Sequence, residues 1–222
     1  MPVRVRRGLF ITLEGIDGCG KTTQLKLLAR VLRRRRVAFL VTREPGGTPS
    51  GERIRQILLG RAGAGMDPRT ELLLMFAARA QHVAERIRPA LARGRTVLSD
   101  RFTDASVAYQ GYGRGLDLDF IRQLDRFACR GLKPDLTFVV DIEPRTSVRR
   151  ARRRNTRARR DEGRFEQETL AFYQRVRRGY RALARREPRR VKFIPGEDSP
   201  KNIHRKILAH LVRLLPRGRA AR

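Results

Sequence analysis

Tryptophan is absent from this 222-residue chain, and cysteine, methionine and histidine occur only two, three and three times. Two cysteines, Cys19 and Cys129, provide no disulfide framework, and neither stands at a metal-ligand spacing. His82, His204 and His210 lack any partner pattern and read as structural or surface residues. No apolar run is long enough to cross a bilayer. Acids are scarce: 22 Asp and Glu face 52 basic residues, of which 46 are arginine, giving a net charge of +30. Clustered cations attract nucleic acid, but these arginines are spread along almost the whole chain. Aromatic residues make up 6%, with no stacking platform for bases. The charge therefore reads as an arginine bias over solvated faces. No specific nucleic-acid partner is expected, only weak polyanion binding at low salt. The length suits one domain with a full core.

What the chain does contain is Gly15-Ile16-Asp17-Gly18-Cys19-Gly20-Lys21-Thr22, which fits the phosphate-loop pattern G-x-x-x-x-G-K-[ST]. The glycines let backbone N–H groups wrap a polyphosphate. Lys21 supplies a cation for the β- and γ-phosphates, and Thr22 offers a hydroxyl to Mg²⁺ at a helix N-terminus whose dipole favours anions. The context is right: Gly8 to Glu14 reads as a buried strand, and Leu25, Leu28, Ala29 and Leu32 follow at helical spacing. At Cys19 a helix N-terminus can lower a thiol pKa, but a small side chain at a variable loop position is the simpler reading. Arg4, Arg6 and Arg7 before an apolar stretch faintly resemble a signal peptide. That stretch runs straight into the phosphate loop, so a cytoplasmic protein is expected.

Strands and helices alternate throughout, which predicts an α/β fold with a parallel sheet. Strands are expected at 37–42, 96–100, 136–141 and 191–194 besides the first, five in all. Helices are expected over 23–36, 51–59, 70–93 (bent before Pro89), 118–129, 144 onward, 165–186 and 200–214. The helical region after β-strand 96–100 is expected to break at Gly111-Tyr112-Gly113-Arg114-Gly115. The domain spans 1–215, with a mobile basic lid at about 149–164 and a basic, disordered tail at 216–222. Ligands bind at the carboxyl ends of such strands, which gathers the phosphate loop, Arg43, Asp100 and Asp141 along one edge. Asp100 is positioned to help hold Mg²⁺, and Arg101 beside it to fork onto a second phosphate. Asp141 ends its strand similarly but has no arginine next to it, and ranks second. Arg43 opens the tight loop Arg43-Glu44-Pro45-Gly46-Gly47, and becomes a phosphate ligand only because a phosphate loop lies near. Nine arginines between Arg149 and Arg164 interrupt the α/β pattern, as a lid that delivers a cation to the migrating phosphoryl group would.

From about Leu9 to Leu214 the chain resembles the thymidylate kinase family, bacterial type, within the P-loop nucleoside monophosphate kinases. Four segments carry the resemblance: Glu14 to Thr23; Thr42-Arg43-Glu44-Pro45-Gly46-Gly47-Thr48; Met75-Phe76-Ala77-Ala78-Arg79; and Asp100-Arg101-Phe102-Thr103-Asp104-Ala105-Ser106-Val107-Ala108-Tyr109-Gln110-Gly111. The resemblance implies a P-loop kinase fold, a central five-stranded parallel sheet flanked by helices, and a homodimer. It implies transfer of the γ-phosphoryl group of ATP to dTMP with Mg²⁺, held at Thr22. Gly15 to Thr22 would bind ATP, with Lys21 and Thr22 on its phosphates and the metal. Asp17 would meet the acceptor phosphate and sugar, and Arg43 and Arg101 would grip the dTMP phosphate. Arg55 matches a further site arginine, and Arg79 would read the thymine edge with Ser106 and Gln110 nearby. Tyr109 would lie against the sugar and exclude a 2′-hydroxyl.

Three departures from the family pattern stand out. Met75 takes the place of a stacking aromatic four residues before Arg79, with Phe76 three before it, so either can cover the base. Ala105 stands where many members have serine. No arginine occupies the loop at Gly18, which moves the expected catalytic cation to the lid, with Arg152 and Arg154 preferred. A kinase for UMP or CMP is the alternative, and a nucleic-acid-binding ATPase a more distant one.

Overall fold

The computed structural model describes residues 7–60, 63, 65–150, 164–212 and 214. Five strands, β1 (Phe10–Glu14), β2 (Phe39–Arg43), β3 (Thr96–Asp100), β4 (Leu136–Asp141) and β5 (Val191–Pro195), form one parallel sheet in the order β2-β3-β1-β4-β5. β1 is buried along its whole length, as expected of a strand with neighbours on both edges and helices on both faces. Register aligns Leu13 with Asp100 and Arg43 with Asp100, so the carboxyl ends of β1, β3 and β2 finish level.

Helix α1 (Lys21–Arg34) and helix α9 (Pro200–Leu211) cover one face, where Leu25, Leu28 and Leu32 meet Ile11, Leu13, Phe138 and Ile207. Helices α3 (Pro68–His82), α6 (Leu118–Cys129) and α8 (Leu170–Arg186) pack on the other, with Phe10, Phe102 and Ile121 in one cluster and Tyr109, Phe172 and Tyr180 in another. α2 (Pro49–Leu59) packs against α3. Residues 144–150, helix α7, end at the edge of the described residues. The expected lid arginines Arg152 and Arg154, and the tail from 216, lie outside them.

Most elements stand where the sequence places them, and the differences have local causes. The helix expected over 70–93 is α3, a π turn (Val83–Ile87) and α4 (Arg88–Ala92) in continuous succession. Pro89 has no N–H to donate, and the wider turn just before it accommodates that loss. The expected break within 111–115 is present but falls late in that segment, at Arg114 rather than at Gly111. α5 (Thr103–Ser106) continues into a π turn (Val107–Gly113), because glycine there admits a close neighbour: a Cβ on Gly113 would come within 2.7 Å of the Phe172 ring on α8. The helix expected to start at Phe165 is preceded by a 3₁₀ turn (Arg164–Gln167). α8 begins only after Thr169, whose hydroxyl accepts from Phe172 N–H at 3.2 Å. α9 ends at Leu211 rather than 214.

Candidate active site

The phosphate loop leaves β1 and enters α1. Gly15 has φ +126°, and a Cβ there would lie 2.4 Å from the Val140 carbonyl oxygen on the neighbouring strand, so no side chain fits. α2, α6, α8 and α9 each start on a side-chain oxygen that accepts from a backbone N–H. α1 starts on Gly20 with no side-chain cap and no acid in its first turn. Its first N–H groups and its dipole are thus left for an external anion. Lys21 is nearly buried and folds back over the loop, donating to the carbonyls of Gly15 at 3.0 Å and Ile16 at 3.1 Å. Cys19 lies beneath the loop, and burial pushes its thiol pKa up despite Lys21 nearby, so the helix N-terminus does not activate it.

Thr22 at the start of α1 donates its hydroxyl to Asp100 Oδ2 at 3.3 Å. A hydroxyl and a carboxylate meeting beside a phosphate loop are hard oxygen donors of the kind Mg²⁺ takes when phosphates and water complete its shell. Among the described residues no group of three or more His, Cys, Asp or Glu forms an all-protein metal cage, so any metal here would depend on its nucleotide. Asp141 takes a different part. Arg177 grips both its oxygens at 2.6 and 2.7 Å, and Arg181 approaches at 3.4 Å. It ties β4 to α8 and does not line the cleft.

Beside the loop a single cleft of about 510 Å³ opens, walled by both halves of the expected site. Arg101 is its hub. Its guanidinium donates to Asp17 Oδ1 at 2.7 Å, Tyr109 hydroxyl at 3.0 Å, Gly15 carbonyl at 3.0 Å and Tyr180 hydroxyl at 3.2 Å. Burial works against its charge, but Tyr109 and Asp17 outweigh that and raise its pKa well above the ordinary value. Tyr109 also donates to Asp17 Oδ2 at 3.3 Å. Ser147 of α7 donates to the Asp17 carbonyl, which fastens the loop from the other side.

Arg79 forms the far wall. It is 2% exposed and donates to Glu44 Oε2 at 2.7 Å, Ser106 Oγ at 3.0 Å and the Phe102 carbonyl at 3.1 Å. A guanidinium has five N–H donors, so these three bonds leave donors for the cleft that it lines. Burial alone would raise the Glu44 carboxyl, but Arg79 and His82 win and hold its pKa below the usual range. His82 continues the chain from Glu44 Oε1 at 2.9 Å to Thr42 Oγ1 at 2.6 Å. Phe76 packs under the Arg79 guanidinium at 4.6 Å, inside the core, while Met75 lines the cleft. Ser106 and Gln110 also line it, and Gln110 is oriented by a 2.7 Å bond to buried Glu71.

Arg43 and Arg55 stand at the open side. Arg55 donates to the Pro45 carbonyl at 2.9 Å. Arg43 is paired with Glu52 at 2.8 Å, but both are about half exposed, at 48% and 40%. Such a pair contributes about 0.5 kcal/mol and yields readily to a stronger anion, unlike the buried Arg79–Glu44 pair. The structure thus brings the phosphate loop, Asp17, Thr22, Asp100, Arg43, Arg55, Met75, Arg79, Arg101, Ser106, Tyr109 and Gln110 to one cleft, and leaves Phe76 behind it. The sequence reading did not single out Glu44 or Phe165. Glu44 was visible within the Pro-Gly-Gly segment. Phe165 reaches the cleft from the segment before α8, which no local pattern marks.

Comparison with known proteins bears on the chain as a whole. The family model described as "Thymidylate kinase" matches residues 13–207. A thymidylate kinase of Syntrophotalea carbinolica is 53% identical over 191 residues, 86% of this chain and 88% of the relative. One of Syntrophus aciditrophicus is 50% identical over 204 residues, 91% of this chain and 93% of the relative. A crystal structure of thymidylate kinase from Ehrlichia chaffeensis superposes with a TM-score of 0.75 at 34% identity, covering 92% of this chain and 99% of the other.

Proposed function

The chain belongs to the thymidylate kinase family, and we propose from its cleft how it handles two nucleotides. The enzyme is an ATP-dependent phosphotransferase that converts dTMP and ATP into dTDP and ADP. The observation that carries this reading is the continuity of one cleft. An uncapped helix N-terminus and its phosphate loop lie on one side, and three arginines, Arg43, Arg79 and Arg101, on the other.

ATP places its phosphates on the backbone of Gly15 to Thr22, and Lys21 turns from the Gly15 and Ile16 carbonyls to the β- and γ-phosphates. Thr22 and Asp100 would hold Mg²⁺, which when bound would supply positive charge to neutralise the transferred group. The dTMP phosphate replaces Glu52 on Arg43 and binds Arg101, with Arg55 close by. Arg79, Ser106 and Gln110 read the thymine edge, and Met75 rather than Phe76 lies against the ring. Asp17 and Tyr109 meet the sugar. A phosphate oxygen of dTMP attacks the γ-phosphorus while its bond to the β–γ bridging oxygen breaks. The attacking dTMP oxygen is already a competent nucleophile, so catalysis is positioning and charge neutralisation. The basic segment from about 149 acts as the lid, with Arg152 and Arg154 supplying the catalytic cation, and it ends at Arg164, which is buried and fixed to Glu71 and the Leu58 carbonyl. Arg150, which lines the cleft at the edge of that segment, supports its entry from this side.

Two helices that pack together, α3 and α6, expose Leu73, Phe120 and Phe127, and a homodimer would cover these side chains. A cytoplasmic location suits both substrates, and no helix among the described residues is long and apolar enough to cross a membrane. A coupled assay for ADP formation with dTMP, UMP, CMP, GMP and AMP tests the acceptor. Turnover with dTMP far above the others is expected, and activity with another monophosphate but not dTMP would refute the assignment.

A further inference from the structure

Arg101 adopts φ +72°, a left-handed conformation that a non-glycine residue occupies at a cost of about 1–2 kcal/mol. Something must hold it there. Its own N–H donates to the Leu13 carbonyl at 3.0 Å, and its carbonyl accepts from the Ser99 hydroxyl at 2.7 Å. The next N–H, that of Phe102, donates to Glu14 Oε1 at 2.7 Å. Glu14 is the last residue of β1, fully buried, and belongs to no part of the cleft wall. Its second oxygen, Oε2, accepts from the Tyr180 hydroxyl of α8 at 2.7 Å, and that hydroxyl in turn accepts from the Arg101 guanidinium at 3.2 Å. One buried carboxyl therefore reaches Arg101 by two routes, through its backbone at Phe102 and through its side chain at Tyr180.

We propose that Glu14 is a positioning residue of the acceptor site, holding both the strained backbone and the guanidinium of Arg101 in the geometry that receives the dTMP phosphate. This rests on the assignment of Arg101 to that phosphate. A carboxyl suits the task because it offers two oxygens at fixed spacing, one for an N–H and one for a hydroxyl. Burial is also consistent with the role: it raises the Glu14 pKa to about 8, against the pull of Arg101 and with a push from Asp104, while the bonds from Tyr180 and Phe102 lower it.

Steady-state kinetics on four variants test the idea, with thermal melts run alongside. Glu14→Ala loses both routes, and Tyr180→Phe loses the side-chain route alone. Each should raise KM for dTMP, by about tenfold for Tyr180→Phe and more for Glu14→Ala, with KM for ATP within about twofold. Glu14→Gln keeps an acceptor for Phe102 N–H and a hydrogen bond to Tyr180, and should restore nearly wild-type KM for dTMP. Parallel loss of both substrates' KM together with a lower Tm would overturn the proposal and leave Glu14 a general stability group. Glu14→Gln behaving like Glu14→Ala would overturn it as well. If Glu14→Ala does not fold, Tyr180→Phe decides, and an unchanged KM for dTMP there counts against the proposal. Arg101→Ala separates the two readings. Unchanged dTMP use in that variant refutes the role of Arg101 itself, whereas a raised KM there beside normal Tyr180→Phe kinetics refutes only that of Glu14.

Discussion

The two walls of the cleft are built on different principles. The donor wall is backbone: eight consecutive residues whose glycines and uncapped helix start present N–H groups, with one lysine folded across them. The acceptor wall is side chain: Arg43 from β2, Arg79 from α3, Arg101 after β3 and Tyr109 from the following π turn, each held by a partner from another element. Backbone donors need only the right local conformation. Long cationic side chains need anchors, and Glu44, Asp17, Glu14 and Tyr180 supply them, all but Asp17 from buried positions. A donor wall of this kind suits any nucleoside triphosphate, and selectivity has to come from the acceptor wall.

Substitutions in the two walls should therefore fail differently. Lys21→Ala removes the one side-chain cation of the donor wall and should lower kcat by about a thousandfold in the coupled assay. Arg101→Ala should act chiefly on the acceptor, raising KM for dTMP by about a hundredfold with a much smaller change for ATP. Equal effects of the two variants on both substrates would erase the distinction. Glu44→Ala should weaken the acceptor wall through the fold as well. It leaves Arg79 charged and buried without its carboxylate, so chemical denaturation should show a loss of about 3–5 kcal/mol.

A further test is a pH dependence located between the walls. Glu14 titrates at about 8 when folded against the usual 4.5, so the folded state holds the extra proton between those values. Its contribution to stability is present below pH 4.5 and is lost as pH rises toward 8. The Glu14→Gln variant lacks this loss. Melting curves from pH 5 to pH 8 should show its Tm gaining steadily on that of the parent protein, and a constant difference would contradict the shifted pKa.

Most of the fold could be read from the sequence because its signals are local. Strand lengths, apolar spacing and the glycines of the phosphate loop need only neighbours a few residues away. The misread boundaries lay where distant contacts override local preference, as at Gly113 against Phe172 and ahead of Pro89. The donor site was legible for the same reason as the strands. Arg43, Arg79 and Arg101 were legible only beside a phosphate loop or through family resemblance, since arginine is common everywhere in this chain.

The sequence by itself determined a parallel α/β sheet, a triphosphate loop at the end of β1, and an acid and an arginine at the end of β3. It also specified that no tryptophan and no cysteine pair would take part. Tertiary structure alone decided which of the many arginines are anchored and by what. It sent Phe76 under Arg79 and Met75 into the cleft, bound Asp141 to Arg177, and set Glu14 and Tyr180 behind Arg101. The reason is physical. Backbone conformation is governed by near neighbours, whereas the partner of a buried charge is whichever opposite group the packing of distant elements brings within hydrogen-bond reach.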